Sequence, residues 1–220
     1  MEYKSIIDNR NLSDRIYIYL RDKIINNEMV PGARIIYDEL IEELGVSRTP
    51  LREALTHLQQ DGLIEVRPRS GTFVNTPKLK DIEEIYDVRR ALEVLAIELA
   101  VPRIPQKVLE DLVEEAIQAE KELDEGNVQA FFTADRNLHK TLIRYSQNQR
   151  LLYMMQSIEA QIQWFGVIIT RDVEGPKQAN QRHKQILEAL LRQDVDAAKE
   201  LMATHITEIK EETIHKYSEK

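Results

Sequence analysis

Cysteine is absent from this 220-residue chain, which excludes a disulfide framework and any thiolate metal site. No apolar run approaches the ~20 residues of a membrane span, and no signal-peptide pattern opens the sequence, so a cytoplasmic protein that does not touch the membrane is expected. Cations are also short: 30 Lys+Arg stand against 38 Asp+Glu, a net charge of −8. That balance argues against a protein coated in nucleic acid. Residues 1–77 carry 10 Lys+Arg and 12 Asp+Glu, so any DNA affinity must come from a small local display, weak on non-cognate DNA at physiological salt. What is present is ordinary for a globular protein: 42% hydrophobic and 31% charged residues, enough to build a core.

Glycine and proline are scarce, seven of each, and they punctuate the chain. After a tail to about Asn11, Ser13 serves as N-cap for a helix carrying Ile16, Leu20, Ile24 and Ile25, which ends before Pro31-Gly32. A short helix over Tyr37–Leu44 and a third over Ser47–Asp61 follow, with Gly62 as the stop. Leu63–Arg67 and Thr72–Val74 read as two strands joined by Pro68-Arg69-Ser70-Gly71, a hairpin wing. Thr76-Pro77-Lys78 reads as a linker. Beyond it, helices are expected near 79–100, 106–125, 128–146, 149–171, 177–193 and 195–217, broken at Pro102–Pro105, Gly126-Asn127, Asn148, Gly175-Pro176 and Gln193-Asp194. The fold class is mainly α: a winged helix-turn-helix over 1–76, then an antiparallel all-α bundle over 77–220.

Residues 44–55 are the most informative. Gly45 lets the chain leave one helix in a left-handed conformation, Ser47 caps the next, and Pro50 sits where its missing N–H is harmless. The first turn then presents Ser47, Arg48, Thr49 and Arg52, hydroxyls beside forked cations that suit phosphates and guanine edges. A helical hairpin without a DNA role would share this pattern, but the wing that follows favours DNA.

In the bundle, Asp135 and His139 share one otherwise apolar helix face with Phe131, Leu138 and Leu142. His183 lies on a stripe with Ile186, Leu187 and Leu190, and His205 on one with Leu201, Met202 and Ile209. A buried carboxylate needs a proton or a cation, and three inward imidazoles beside it make a ligand set for a divalent ion, zinc first, nickel or manganese as alternatives. On residue types alone, a metal site and hydrogen-bonded core histidines account for this set about equally. Arg89, on the stripe Ile82, Ile85, Leu92, Ala96, either forks a ligand carboxylate or pairs locally with Glu93. Arg90, His57 and His215 read as solvent-side, Trp164-Phe165 as core, and the acidic run Asp38 to Glu43 as a solvated helix face.

Together these residues resemble the GntR family of bacterial transcription regulators, in its FCD (FadR-like) branch. The resemblance rests on Pro31–Arg34, Gly45–Leu55, Asp61–Ile64 and Gly71–Val74, then on Val88–Glu93, Asp135–His139, His183–Ala189 and Asp194–Ala198 leading to His205. It implies a homodimeric regulator, usually a repressor, that binds a near-palindromic double-stranded operator and associates with the nucleoid when bound. It places DNA contacts at Ser47, Arg48, Thr49 and Arg52, with wing contacts at Arg69 and Gly71. It matches Asp135, His139, His183 and His205 to the family's metal ligands, and implies a small carboxylate effector completing the shell, with Arg89 as its second anchor. Asp38 departs from the family, which often carries an operator-touching Arg there. Two rivals share the same ligands: a regulator that senses the metal itself, and a metal-dependent hydrolase fused to a DNA-binding module. The second needs a base near the metal, and no further inward carboxylate is expected to supply one.

Overall fold

The chain divides after Pro77 into two compact units. The structure, a computed structural model, describes residues 11–170 and 173–218. The tail expected before Asn11 lies outside them, as does the helix end expected at 171.

In the first unit, α1 (Leu12–Ile25) starts at Asn11 and not at Ser13. Asn11 Oδ1 accepts the Asp14 backbone N–H at 2.9 Å, which an Asn side chain does as well as a Ser. Ser13 is buried one turn in and donates its hydroxyl to the same oxygen. Helix α2 (Tyr37–Leu44) ends at Gly45 with φ +63°, and α3 (Arg48–Gln60) follows Ser47, which has the extended backbone of an N-cap but makes no side-chain capping bond. Leu20 and Ile24 of α1 bury against α3, whose inner face is Leu51, Ala54, Leu55 and Leu58. The periodicity of α3 therefore leaves the opposite face, with Arg48, Thr49 and Arg52, in solvent.

The wing has three strands, not two. Strand β1 (Arg34–Ile35) and strand β2 (Ile64–Arg67) flank β3 (Gly71–Val74), all antiparallel, in the order β1-β3-β2. Arg34 pairs with Phe73, and Arg67 with Gly71. A two-residue strand has no period to detect, and only its partner reveals it. The turn between β2 and β3 holds Arg69 at φ +62° and Gly71 at φ +122°.

The second unit contains, among the described residues, α4 (Leu79–Ala100), α5 (Gln106–Asp124), α6 (Gln129–Tyr145), α7 (Gln149–Ile169), α8 (Glu174–Leu191) and α9 (Val195–Ser218). Cross-links fix their directions. Tyr86 meets Thr213 near one end of the α4–α9 pair and Glu98 meets Lys199 near the other, so these two helices run antiparallel. On α8 and α9, Arg182 pairs with Glu208 and His183 with His205.

Two expectations are corrected. Gly175-Pro176 does not break the chain; it lies in the first turn of α8, where a helix has N–H groups without partners and a proline costs little. Side chains of α9 reach over Gly175, where a Cβ would sit 2.4 Å from Glu212 Oε1, the tip of a side chain that can move aside. The inward stripe of α4 is also rotated from the expected phase. Its buried line is Ile82, Tyr86, Arg89, Glu93, Ala96 and Ala100, while Ile85 and Leu92 are only half-buried.

A Cβ added at Gly45 would meet no atom within 4 Å, so its substitution tests backbone strain alone. Gly45→Ala should destabilise the first unit by about 1–2 kcal/mol, the cost of a left-handed alanine, and Gly45→Asn by less. Urea unfolding that shows no loss for Gly45→Ala would refute the turn geometry.

Candidate functional site

Four side chains from three helices converge inside the second unit. Asp135 and His139 stand one turn apart on α6, His183 comes from α8 and His205 from α9, and one donor atom from each lies within 4.8 Å of the others. His183 Nε2 is 3.1 Å from His205 Nε2. Asp135 Oδ1 is 3.6 Å from both His139 Nε2 and His183 Nε2. Two donors on one ion at ~2.1 Å can be no more than ~4.2 Å apart; these three spacings meet that limit, and the set as a whole, spread over at most 4.8 Å, lies within a small side-chain adjustment of it. The three imidazoles are buried. Phe131 stacks on His183 with the planes 8° apart, holding its ring. His139 Nε2 is fully buried with no hydrogen-bond partner among the described residues, which is costly unless something else accepts its lone pair or proton. The residues fit a divalent ion of the zinc class: three nitrogens and one carboxylate oxygen, facing one point.

A fifth side chain, the second acidic one, belongs to the site and was not expected there. Glu93, 1% exposed, accepts from Arg89 Nε at 2.6 Å through Oε1, and its Oε2 contacts His139 Nδ1. Glu93 is thus a further inward carboxylate, but with Arg89 and His139 on its two oxygens it is not placed as a base. Its signal was the seven-residue spacing from Tyr86 and the three-residue spacing to Ala96, which put Glu93 on the buried stripe. Arg89 is also 5% exposed: the local pair with Glu93 forms, buried and not at the surface, and Arg89 also lines the neighbouring cavity.

Burial sets the protonation pattern. It works against a charged Glu93, but His139 and Arg89 overcome it and bring the carboxyl down to about 2. Burial likewise opposes a charged His139, and Glu93 with Asp135 raises it to about 9. His183 has no such partner to itself, so burial takes it down to about 4. His205 falls well below its usual value through burial and the neighbouring cations. Asp135 is held ionised, far below the usual carboxylate range, by His139, His183 and Arg89 against the pull of burial. Its side chain is 27% exposed, and that exposed part lines a cavity.

The cavity measures about 370 Å³ and opens beside the cluster. Arg89, Glu93, Asp135 and His139 line it with Arg136, Lys140, Arg144 and Glu159; Ile143, Leu152, Met155 and Ile162 supply apolar wall, and several glutamines and Asn148 complete the lining. Trp164 and Phe165 are buried core and do not line it, as expected.

In the first unit, Ser47, Arg48, Thr49, Arg52 and Arg69 are exposed and Gly71 is half-exposed. Arg48 pairs with Asp38 at 3.0 Å, both side chains 79% exposed. Arg67 lies over the Phe73 ring and pairs with Glu65. Arg34, which sequence reasoning did not assign, reaches the wing turn: a Cβ at Gly71 would meet its Nε at 3.3 Å. His57, Arg90 and His215 are on the surface.

The family model for the FCD domain matches residues 84–208, and that for bacterial regulatory proteins of the gntR family matches residues 12–74. The chain belongs to the GntR family. The GntR-family chain is 30% identical over 179 residues to the Nta operon transcriptional regulator of Aminobacter aminovorans, spanning 80% of this chain and 82% of that one. It is 26% identical over 200 residues to the HTH-type transcriptional repressor RspR of Escherichia coli, spanning 91% and 88%. The solved structure of E. coli McbR/YncC has the same fold, with a TM-score of 0.80 at 21% identity over 94% of this chain and 99% of that one. The two curated relatives and the two family models are of transcription regulators and not enzymes, so the GntR-family chain is a DNA-binding regulator and the hydrolase reading falls. Glu93, the carboxylate that reading lacked, has both oxygens occupied by Arg89 and His139 and is no free base.

The protonation pattern predicts a stability optimum for the metal-free GntR-family protein. His183 and His205 are depressed in the fold, so their contribution is present above about pH 6.5 and is lost as pH falls toward about 4. For His183 alone this is on the order of 3 kcal/mol. His139 is raised, so its contribution is full below about 6.5 and is lost as pH rises through about 9. Melting of the second unit after chelation should therefore peak near pH 6.5; a profile flat from pH 5 to 9 would refute the assignment.

Proposed function

We propose that this regulator is a repressor that binds a near-palindromic operator as a homodimer and releases it when a small organic acid binds the second unit. The observation that carries the reading is the convergence of Asp135, His139, His183 and His205 beside Arg89 and a cavity. The four donors hold a divalent metal, zinc first, with nickel or manganese as alternatives. Bound there, the ion supplies a Lewis-acidic positive charge to which a carboxylate can attach. Arg89 gives its Nε to Glu93 and keeps its terminal nitrogens for the same carboxylate, in the forked geometry that favours guanidinium over ammonium. Ile143, Leu152, Met155 and Ile162 ask for a hydrocarbon body on the acid, and 370 Å³ keeps it small.

Operator contacts are assigned to Ser47, Arg48, Thr49 and Arg52 at the start of α3, and to Arg69 and Gly71 in the wing. Their support is exposure on one helical turn and one hairpin tip, on a unit whose core uses the opposite face of α3. The effector acts by favouring the arrangement of the regulator that does not fit its operator, so it must bind that arrangement more tightly. The segment around Pro77 is the assigned hinge.

Arg52→Ala should reduce specific operator affinity by at least ~10-fold, toward the level of non-cognate DNA, while metal content stays unchanged; fluorescence anisotropy on the operator that still gives the original affinity would remove α3 as the reading helix. For the sensor, Arg89→Lys keeps the charge opposite Glu93 but loses the fork. In thermal shifts of zinc-loaded protein against a panel of small mono- and dicarboxylates, it should bind the best acid ~10- to 100-fold more weakly than the parent. Operator release by zinc alone, with no acid shifting the protein, would instead make the metal the signal.

A further inference from the structure

We propose that Glu93 is a positioning residue that joins the anion anchor Arg89 to the metal ligand His139, so that the two halves of the sensor are one mechanical unit. The inference rests on the metal reading above and assigns a role to a residue outside the four donors. The geometry is specific. Glu93 follows Arg89 by one turn of α4, so the two side chains share a face, and its two oxygens do different work. Oε1 accepts from Arg89 Nε at 2.6 Å, and Oε2 faces His139 Nδ1 across the α4–α6 interface. An ionised carboxylate only accepts, so the Nδ1 facing Glu93 keeps its proton, and the proton a cation can replace is the one on Nε2, whose lone pair then becomes the ligand. That atom is the buried one with no hydrogen-bond partner among the described residues, and it stands 3.6 Å from Asp135 Oδ1.

Glu93 therefore selects which nitrogen of His139 is offered to a cation and fixes the plane of the ring. Carboxylates in this outer position raise ligand basicity and change metal affinity by about 10- to 100-fold when removed. The other oxygen gives the bridge its second consequence. When an anion in the cavity draws Arg89, the Nε bond to Oε1 carries the pull into Glu93 and from there to His139. Metal and acid then bind with a shared coupling free energy, each strengthening the other by one factor.

The test compares the parent with Glu93→Gln, which keeps shape but cannot accept from both partners, in the full-length protein. Zinc affinity by competition with a chromophoric chelator should fall about 10- to 100-fold. The His139 Nδ1 proton, seen by ¹⁵N-resolved NMR as a slowly exchanging downfield signal in metal-free and zinc-loaded parent, should disappear. The double variant Arg89→Met/Glu93→Gln, which leaves no buried cation unpaired, guards against a folding artefact and should show the same loss of zinc affinity and signal. Unchanged zinc affinity in both variants overturns the proposal, whether or not the signal is lost. A signal that persists in both overturns it as well. A parent that binds no zinc while showing the Nδ1 signal overturns the metal reading itself and with it the role of Glu93, a result distinct from either of the others.

Discussion

Charge buried at the junction of α4, α6, α8 and α9 must sum to nearly zero, and the arrangement of the second unit follows from that constraint. Burying an ion without a partner costs several kcal/mol, so Asp135 and Glu93 need two positive charges. Arg89 is one. The other is a proton on His139, which the two carboxylates hold to about pH 9. His183 and His205 stay neutral because burial opposes their charged forms and Asp135 alone does not offset it beside His139 and Arg89. On the proposed reading, a divalent ion takes the place of that proton. Two carboxylates, one guanidinium and a dication leave one excess positive charge, facing a cavity also lined by Arg136, Arg144 and the Lys140–Glu159 pair. An anion is what that imbalance selects.

The first unit solves an opposite problem. It has to hold polyanionic DNA with a net negative domain, and the structure shows how few cations are available for it. Arg48 is engaged by Asp38 and Arg67 by Glu65, whereas Arg52 and Arg69 have no ion-pair partner among the described residues. An exposed pair such as Arg48–Asp38 is worth little by itself, so Arg48 can exchange it for a base or phosphate at small cost. The carboxylate remains, however, and repels the backbone wherever it approaches. Discrimination gains relative to affinity in such a surface, because non-cognate binding rests on phosphate contacts that Asp38 opposes.

Much of this was legible in the sequence, for physical reasons. Gly45, Ser47 and Pro50 are choices that only one backbone geometry rewards, and the breaks at Gly126 and Asn148 fall where helices end. The ligand set was legible because polar residues at helical spacing on apolar faces stand out. The misreadings came from features that depend on partners. Strand β1 is two residues long and exists only by pairing with β3. Gly175-Pro176 looks like a break until side chains of α9 are seen to reach over Gly175. Glu93 looked like half of a surface pair with Arg89 because an i,i+4 pair reads the same whether the face is wet or dry. The packing of α6, α7 and α9 against α4 made that face dry, and the contact with His139 on α6 turned the pair into part of the site.

The position of Arg89 and Glu93 in the chain also bears on how a bound acid reaches the DNA-reading unit. Both lie on α4, the helix that continues directly from the Pro77 segment, about 15 and 21 Å along its axis from Leu79 at 1.5 Å per residue. The ligands Asp135, His139, His183 and His205 are all on other helices. A charge imbalance at the site acts between α4 on one side and α6, α8 and α9 on the other, and α4 is the member that is covalently continuous with the reader. Differential affinity decides whether this matters: to move a regulator from mostly bound to mostly released, the acid must prefer the released arrangement by several kcal/mol. One hydrogen bond does not supply that. On the proposed reading, a carboxylate attached at once to a metal and to a buried guanidinium makes two charge-assisted contacts, and the shift comes from losing one or both of them in the operator-fitting arrangement.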